Sequence, residues 1–214
     1  MNVAYLHGFA SSPLSKKGLA LKAALAAHGR TLQLPDLNAP SFAQLSLRSM
    51  LGVLDRLDRG APWSFVGSSL GGWLAARWAE LHPERVERLV LLCPAFDLSE
   101  RWPSLLPPGA LELWRSQGYL QFPDAAGVPT PVHYALYEES LRERGRPVVP
   151  CPTLVIHGRR DERVPIESSR AYARSHSQVE LLELDDDHEM IASTERIARE
   201  ALAFLRVDTH GADP

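Results

Sequence analysis

Gly67-Ser68-Ser69-Leu70-Gly71 sets a serine hydroxyl between two glycines that leave room for a sharp turn. Residues 63–66 before it are a short, mostly apolar run, and the stretch beginning at Leu70 has the apolar face of a helix. A strand, a tight turn centred on Ser69 and a helix make a nucleophile elbow, which pushes the hydroxyl out over the end of a sheet. A serine hydroxyl is a weak nucleophile until a neighbouring base takes its proton as the new bond forms. The pentapeptide therefore predicts an imidazole elsewhere in the chain.

Eight histidines compete for that role. His188 is the predicted base, because it directly follows the last predicted strand, where the chain returns over the carboxyl edge of the sheet. His7 and His157 also end strands at that edge, but each precedes a glycine and is read as stiffening its loop. His28, His82, His133, His176 and His210 fall in helical or tail contexts and are read as surface residues. A carboxylate must fix the tautomer of the base and stabilise the imidazolium. Asp161, in the loop after the penultimate strand, gives the chain order Ser, Asp, His. Asp97, after the strand at 89–92, is the competing acid. Two backbone N–H groups should hold the oxyanion of a tetrahedral intermediate: that of Leu70, and that of Phe9 in His7-Gly8-Phe9-Ala10. One such donor contributes roughly 3–4 kcal/mol to the transition state.

The elements that must position these groups alternate along the chain. Apolar runs predict strands at 3–6, 31–34, 63–66, 89–92, 153–156 and 180–184. Helical spacing predicts helices at 16–28, at 41–59 with Ser41 as its cap, after Ser69, at 166–175 and at 194–206. Alternation of this kind implies a mainly parallel sheet covered on both faces. The segment 97–149 breaks the pattern, being rich in both proline and aromatic residues, with two short helices expected at 110–116 and 132–144. It is read as a small lid insertion, with Trp102, Trp114, Phe122, Tyr134 and Tyr137 as the expected pocket residues. The alternative is an edge extension that packs its aromatics into the main core.

At 214 residues the chain fits one domain, expected over 1–206, with a polar tail at 207–214 read as flexible. A formal net charge of −3 gives no electrostatic footprint for nucleic acid. No window approaches the roughly 20 apolar residues of a membrane span, and no charged leader precedes Val3, so a cytoplasmic protein is expected. Cys93 and Cys151 fall at opposite ends of neighbouring strands, beyond the ~7 Å between α-carbons that a disulfide allows, and are read as packing residues. No metal or cofactor is expected. Gly71-Gly72 lacks the lysine and spacing of a phosphate loop, and around Asp185, Asp186 and Asp187 no second histidine beside His188 shows ligand spacing, so that run is read as a solvated loop. Oligomeric state stays open.

The opening Tyr5-Leu-His-Gly-Phe-Ala-Ser-Ser-Pro-Leu-Ser-Lys16 is similar to the start of the YqiA-like bacterial esterases. The later Cys93-Pro-Ala-Phe-Asp-Leu-Ser-Glu-Arg and His133-Tyr-Ala-Leu-Tyr-Glu-Glu-Ser resemble a lid-bearing branch, the palmitoyl-protein thioesterase type of abhydrolase-domain proteins. From Tyr5 to His188 the chain thus resembles a small α/β-hydrolase with a six-stranded sheet. The resemblance implies cofactor-free hydrolysis of carboxylic esters or acyl thioesters. It also implies Ser69 as nucleophile, Asp161 as acid, His188 as base, and Phe9 and Leu70 as oxyanion donors. One departure stands out: Asp185–Asp187 replaces the glycine often found shortly before the histidine. The expected function is a serine esterase for short to medium acyl chains, its substrate a small ester or thioester. Acyl thioesterase and acyltransferase chemistry would use the same groups, and a hydrolase-shaped binding module is the non-catalytic alternative.

Overall fold

The computed structural model describes residues 2–207. In chain order the strands are β1 (Asn2–Leu6), β2 (Leu32–Gln33), β3 (Trp63–Ser68), β4 (Val86–Leu92), β5 (Tyr119–Pro123), β6 (Pro129–His133), β7 (Thr153–Gly158) and β8 (Val179–Leu184). The helices are α1 (Lys16–Ala27), α2 (Leu47–Leu57), α3 (Leu70–Leu81), α4 (Leu98–Leu105), α5 (Ala110–Gln117), α6 (Ala135–Ser140), α7 (Ile166–Ser175) and α8 (Thr194–Phe204). Six strands form one sheet in the order β2-β1-β3-β4-β7-β8, each pair parallel. β5 and β6 pair antiparallel in a separate hairpin.

Period-two alternation divides the core. Val3, Tyr5, Val66, Val90, Leu92 and Ile156 share one buried cluster with residues of α1 and α8. Ala4, Leu6, Phe65, Leu89, Leu91 and Val155 share the other with residues of α2, α3 and α7. A parallel sheet buried on both faces leaves its strand ends as the place where polar side chains can meet. β1 sits between β2 and β3, so the chain turns one way after β1 and the other way later. The loop after β1 and the loop after β3 therefore face each other across a crevice at the carboxyl edge.

Some expectations need correction. The helix expected over 41–59 is broken: Ser41 caps a single 3-10 turn, Phe42–Gln44, and Leu45 is extended. α2 then starts afresh on Ser46, whose hydroxyl accepts from the Ser49 N–H while the Ser49 hydroxyl accepts from the Ser46 N–H. Those reciprocal bonds make the second serine the stronger start. In the segment between β4 and β7, α5 falls where a helix was expected, but the helix expected at 132–144 gives way to β6 followed by α6. Leu120, Phe122, Thr130 and Val132 point inward at period two, a strand signal. The Asp124 carboxylate closes the hairpin turn by accepting from the N–H groups of Ala126 and Val128.

Trp102, Trp114, Val132 and Leu136 belong to the same buried cluster as the α3 face of the sheet, so this segment is also part of the main core. Val207, read as the first residue of a flexible tail, is buried in the cluster that holds Leu202 and Leu205. The rest of that tail, 208–214, lies outside the described residues, as does His210. Both cysteines are buried and free. Among the described residues, no helix is long and apolar enough to cross a membrane.

Candidate active site

Ser69 stands between β3 and α3 with φ 53° and ψ −116°, a conformation that costs a non-glycine residue about 1–3 kcal/mol. The surrounding backbone holds it there. The Ser69 N–H donates to Leu92 O at 2.8 Å, and Ser69 O accepts from the N–H groups of Gly72, Trp73 and Ala95 at 2.9–3.1 Å. Gly71 is required by the close approach of β1: a Cβ there would overlap the Leu6 carbonyl oxygen and lie 2.6 Å from His7 O. Gly71→Ala should therefore destabilise the fold by about 3 kcal/mol, lowering Tm by roughly 6–12 °C in a thermal melt. An unchanged Tm would mean that β1 can move aside freely.

The structure brings Ser69, His188 and Asp161 together at the carboxyl edge. His188 Nε2 is 3.0 Å from Ser69 Oγ, and His188 Nδ1 is 2.7 Å from Asp161 Oδ2. With the Nδ1–H donated to the carboxylate, the lone pair of Nε2 faces the hydroxyl, the arrangement needed to take its proton. Asp161 Oδ1 accepts from the Arg163 and Val164 N–H groups at 2.9 and 2.8 Å. His157, fully buried at the end of β7, lies 3.1 Å from Asp161 Oδ2 through Nε2. Its Nδ1 accepts from the Ser169 hydroxyl at 2.7 Å, so Nε2 carries the proton and is also 2.9 Å from Val164 O. Burial alone would push the Asp161 carboxyl up. The hydrogen bonds from His157 and His188, with that of the Val164 N–H, outweigh it and hold the carboxyl well below the usual carboxylate range.

His7 anchors the loop after β1. Its Nε2 accepts from the Leu37 N–H at 3.0 Å, and Nδ1 donates to Gly8 O at 3.0 Å. Burial lowers its pKa, so it stays neutral. This loop runs directly over the elbow: a Cβ on Gly8 would lie 3.3 Å from Ser69 Cβ. Among the described residues, neither the Phe9 nor the Leu70 N–H donates to a protein acceptor. Asp97, the competing acid, is engaged elsewhere. Its carboxylate pairs with Arg146 at 2.6 Å, and its N–H donates to Gly145 O at 3.0 Å.

The acidic run before His188 is not a simple solvated loop. Asp185 is exposed and pairs with Arg160 at 2.5 Å. Asp186 is buried and accepts from the Asp187 and Ser193 N–H groups, while the Asp187 carboxylate accepts from those of Glu189 and Met190. These carboxylates brace the loop that carries His188. Cys93 Sγ lies with Asp161 and His188, one atom from each within 4.8 Å of the others. Burial, with the Asp161 charge, pushes the Cys93 thiol well above its ordinary range. With its pKa raised, Cys93 is a neutral thiol beside the Asp161 carboxylate.

A cavity of about 710 Å³ opens above Ser69 and His188. The apolar part of its lining, its apolar arm, is Phe9, Leu98, Trp102, Leu105 and Phe122. The Phe9 ring packs edge-on against Trp102 and Phe122 at 5.7 and 5.2 Å. Of the five expected pocket residues, Trp102 and Phe122 line the cavity, whereas Trp114, Tyr134 and Tyr137 do not. Trp114 is wholly buried behind the wall, its Nε1 donating to Val132 O at 2.8 Å and its ring edge-on against Trp102 and Phe122. Tyr134 and Tyr137 pack on Trp114 in turn. Leu98, Arg101 and Leu105 were missed as wall residues. Their i, i+3, i+7 spacing around Trp102 was the available signal, masked by Pro103 within α4.

A model for an uncharacterised protein family, UPF0227, matches residues 2–206. The chain belongs to the UPF0227 family. As a UPF0227 chain of YqiA-like type, it is 28% identical over 170 residues to a rat protein named palmitoyl-protein thioesterase ABHD10, mitochondrial; the match covers 68% of this chain and 54% of the rat protein. It is 39% identical over 84 residues to a pimeloyl-[acyl-carrier protein] methyl ester esterase of Citrobacter koseri, covering 36% of this chain and 32% of that enzyme. The chain thus spans about half the length, or less, of these curated relatives. The solved structure of mouse alpha/beta hydrolase domain-containing protein 10 superposes with a TM-score of 0.78 at 23% identity, covering 96% of this chain and 89% of that one. The UPF0227 chain has the α/β-hydrolase fold.

Proposed function

We propose that this UPF0227 chain is a serine hydrolase that cleaves carboxylic esters of short to medium acyl chains through an acyl-enzyme. The observation that carries the reading is the pair of hydrogen bonds, 3.0 and 2.7 Å, linking Ser69 to His188 and His188 to Asp161 on the floor of the cavity. Ser69 Oγ attacks the ester carbonyl carbon as His188 Nε2 takes its proton. The oxyanion that forms is held by the N–H groups of Phe9 and Leu70. Collapse breaks the bond to the leaving oxygen, and His188 returns the proton to it. Water then repeats the sequence on the acyl-enzyme, releasing the carboxylic acid and restoring Ser69. Asp161 holds the imidazole in the required tautomer and balances its charge. The catalytic unit in this reading is one domain over 1–206, with the segment 97–149 as the lid that selects the acyl group. The two buried free thiols fit the reducing cytoplasm.

The test is covalent labelling by a fluorophosphonate: one adduct per chain, mapped to Ser69, is expected. An unlabelled but folded protein would favour a binding module. A second reading, acyl thioesterase, draws on the name of the rat relative and uses the same groups; comparing a butyryl ester with a butyryl thioester separates the two.

The apolar arm makes a further prediction. Phe122→Ala removes its inner wall, so the preference should move toward longer acyl chains. Each methylene newly accommodated contributes about 0.8 kcal/mol, roughly fourfold in kcat/KM. A series of p-nitrophenyl esters from acetate to decanoate reads this out, and an unchanged profile would remove Phe122 from the acyl pocket.

A further inference from the structure

The second arm of the cavity differs chemically from the first. Its lining is Ser68, Tyr5, Ser15, Lys16 and Lys17. Lys17 is 7% exposed, and its ammonium has one protein acceptor among the described residues, Glu189 O at 2.5 Å. An ammonium carries three N–H donors, and buried donors without acceptors are costly. Two of the Lys17 donors are therefore unmatched by protein in the wall of a cavity built to receive a substrate.

The acids nearby act on Lys17 through space, because their oxygens are engaged elsewhere. The Glu189 carboxylate pairs with Arg163, and those of Asp186 and Asp187 accept from backbone N–H groups of their own loop. Burial lowers the Lys17 pKa, while these charges and Cys93 act to raise it. Lys16, exposed at the mouth, has no ion-pair partner among the described residues. The whole chain carries a net charge of −3, yet Lys16, Lys17, Arg101 and Arg163 line this cavity against the single carboxylate of Glu189.

Position gives the arm its role. Lys17 bonds to the residue that follows His188, so the polar arm lies on the imidazole side of Ser69. A leaving group must sit on that side to receive its proton from His188 Nε2. The geometry points to an anion subsite in which Lys17, with Lys16 at the mouth, binds a carboxylate or phosphate on the leaving group of the substrate. This deepens the hydrolase reading above and rests on it. The acyl part occupies the apolar arm, and the alcohol or thiol part carries the negative charge.

Two matched pairs of substrates test the subsite: 4-(butyryloxy)benzoate against 4-(butyryloxy)benzamide, and butyryl-CoA against butyryl-N-acetylcysteamine. In at least one pair, kcat/KM of the wild type should favour the anionic member about tenfold or more at low salt. That preference should shrink as ionic strength rises. The pair that shows it identifies carboxylate or phosphate as the group bound. Lys17→Met should lower the anionic-to-neutral ratio about tenfold, and Lys16→Gln should lower it by a smaller factor. If Lys17 merely ties the His188 loop to α1, Lys17→Met will slow both members equally, which overturns the subsite. A wild-type ratio near one, independent of salt, overturns it without any variant. Absence of turnover with all four compounds would instead overturn the hydrolase reading itself.

Discussion

Alanine at position 69 is expected to lower ester turnover about 10⁶-fold while leaving the fold intact. The side chain of Ser69 makes its hydrogen bond to His188, whereas the elbow is held by backbone bonds to Leu92, Gly72, Trp73 and Ala95. Alanine keeps those bonds and bears the same backbone strain, so Tm should shift little. The nearby Cys93 is buried and held as a neutral thiol by its surroundings. Turnover of p-nitrophenyl butyrate, with fluorophosphonate labelling followed by mass, measures both sides of the expectation. Residual activity above about 1% of wild type would require a nucleophile other than Ser69.

Asp161→Asn should cost about 10⁴-fold in kcat with a smaller change in KM. The two backbone N–H groups of Arg163 and Val164 would keep the amide oxygen in place of Oδ1. The amide nitrogen would then face two imidazole N–H donors, those of His188 and His157. His188 relieves that conflict by moving its proton to Nε2, the tautomer that cannot accept from Ser69. The same variant changes the pH dependence of stability. The carboxyl of Asp161 is depressed in the folded state, so the unfolded chain binds protons there first as pH falls. Its stabilisation is complete above the unfolded value near pH 4 and is lost progressively below it. Wild type should therefore lose Tm more steeply than Asp161→Asn between about pH 5 and 2. Glu183, held at about 2 by the Arg170 and Arg159 guanidiniums, titrates in the same window and remains in both proteins. Parallel melting curves would show that Asp161 adds no net stability.

The parts of the site that depend on local chemistry are legible in the chain. Tight-turn glycines around Ser69, positions at strand ends for His7 and His157, and a loop position after the last strand for His188 can be read residue by residue, because a parallel sheet sends every strand's carboxyl end to one edge. Strand order cannot be read so, and the place of β1 between β2 and β3 follows from long-range pairing. The region between β4 and β7 was least legible. Its helix α4 contains Pro103, its strands are short and contain prolines, and one of its two tryptophans, Trp114, serves as the packing centre of the wall rather than its surface. Aromatic content showed that the segment packs, without showing which rings face the cavity. The acidic run misled for a related reason: three successive carboxylates look solvated, yet two of them are consumed by local N–H groups.

The bond between the Asp97 N–H and Gly145 O, with the neighbouring Arg146 ion pair, has an evolutionary consequence. Asp97 and Arg146 are separated by 49 positions in sequence and touch in space, so the two ends of the intervening chain are stitched together as one gate. Closing such a gate becomes only slightly harder as the intervening chain lengthens, by about 0.6 kcal/mol per doubling. Descendants can therefore change the length of the turn between β5 and β6 at small cost, whereas changes at Trp102, Trp114, Val132 or Leu136 reach the buried core shared with the sheet.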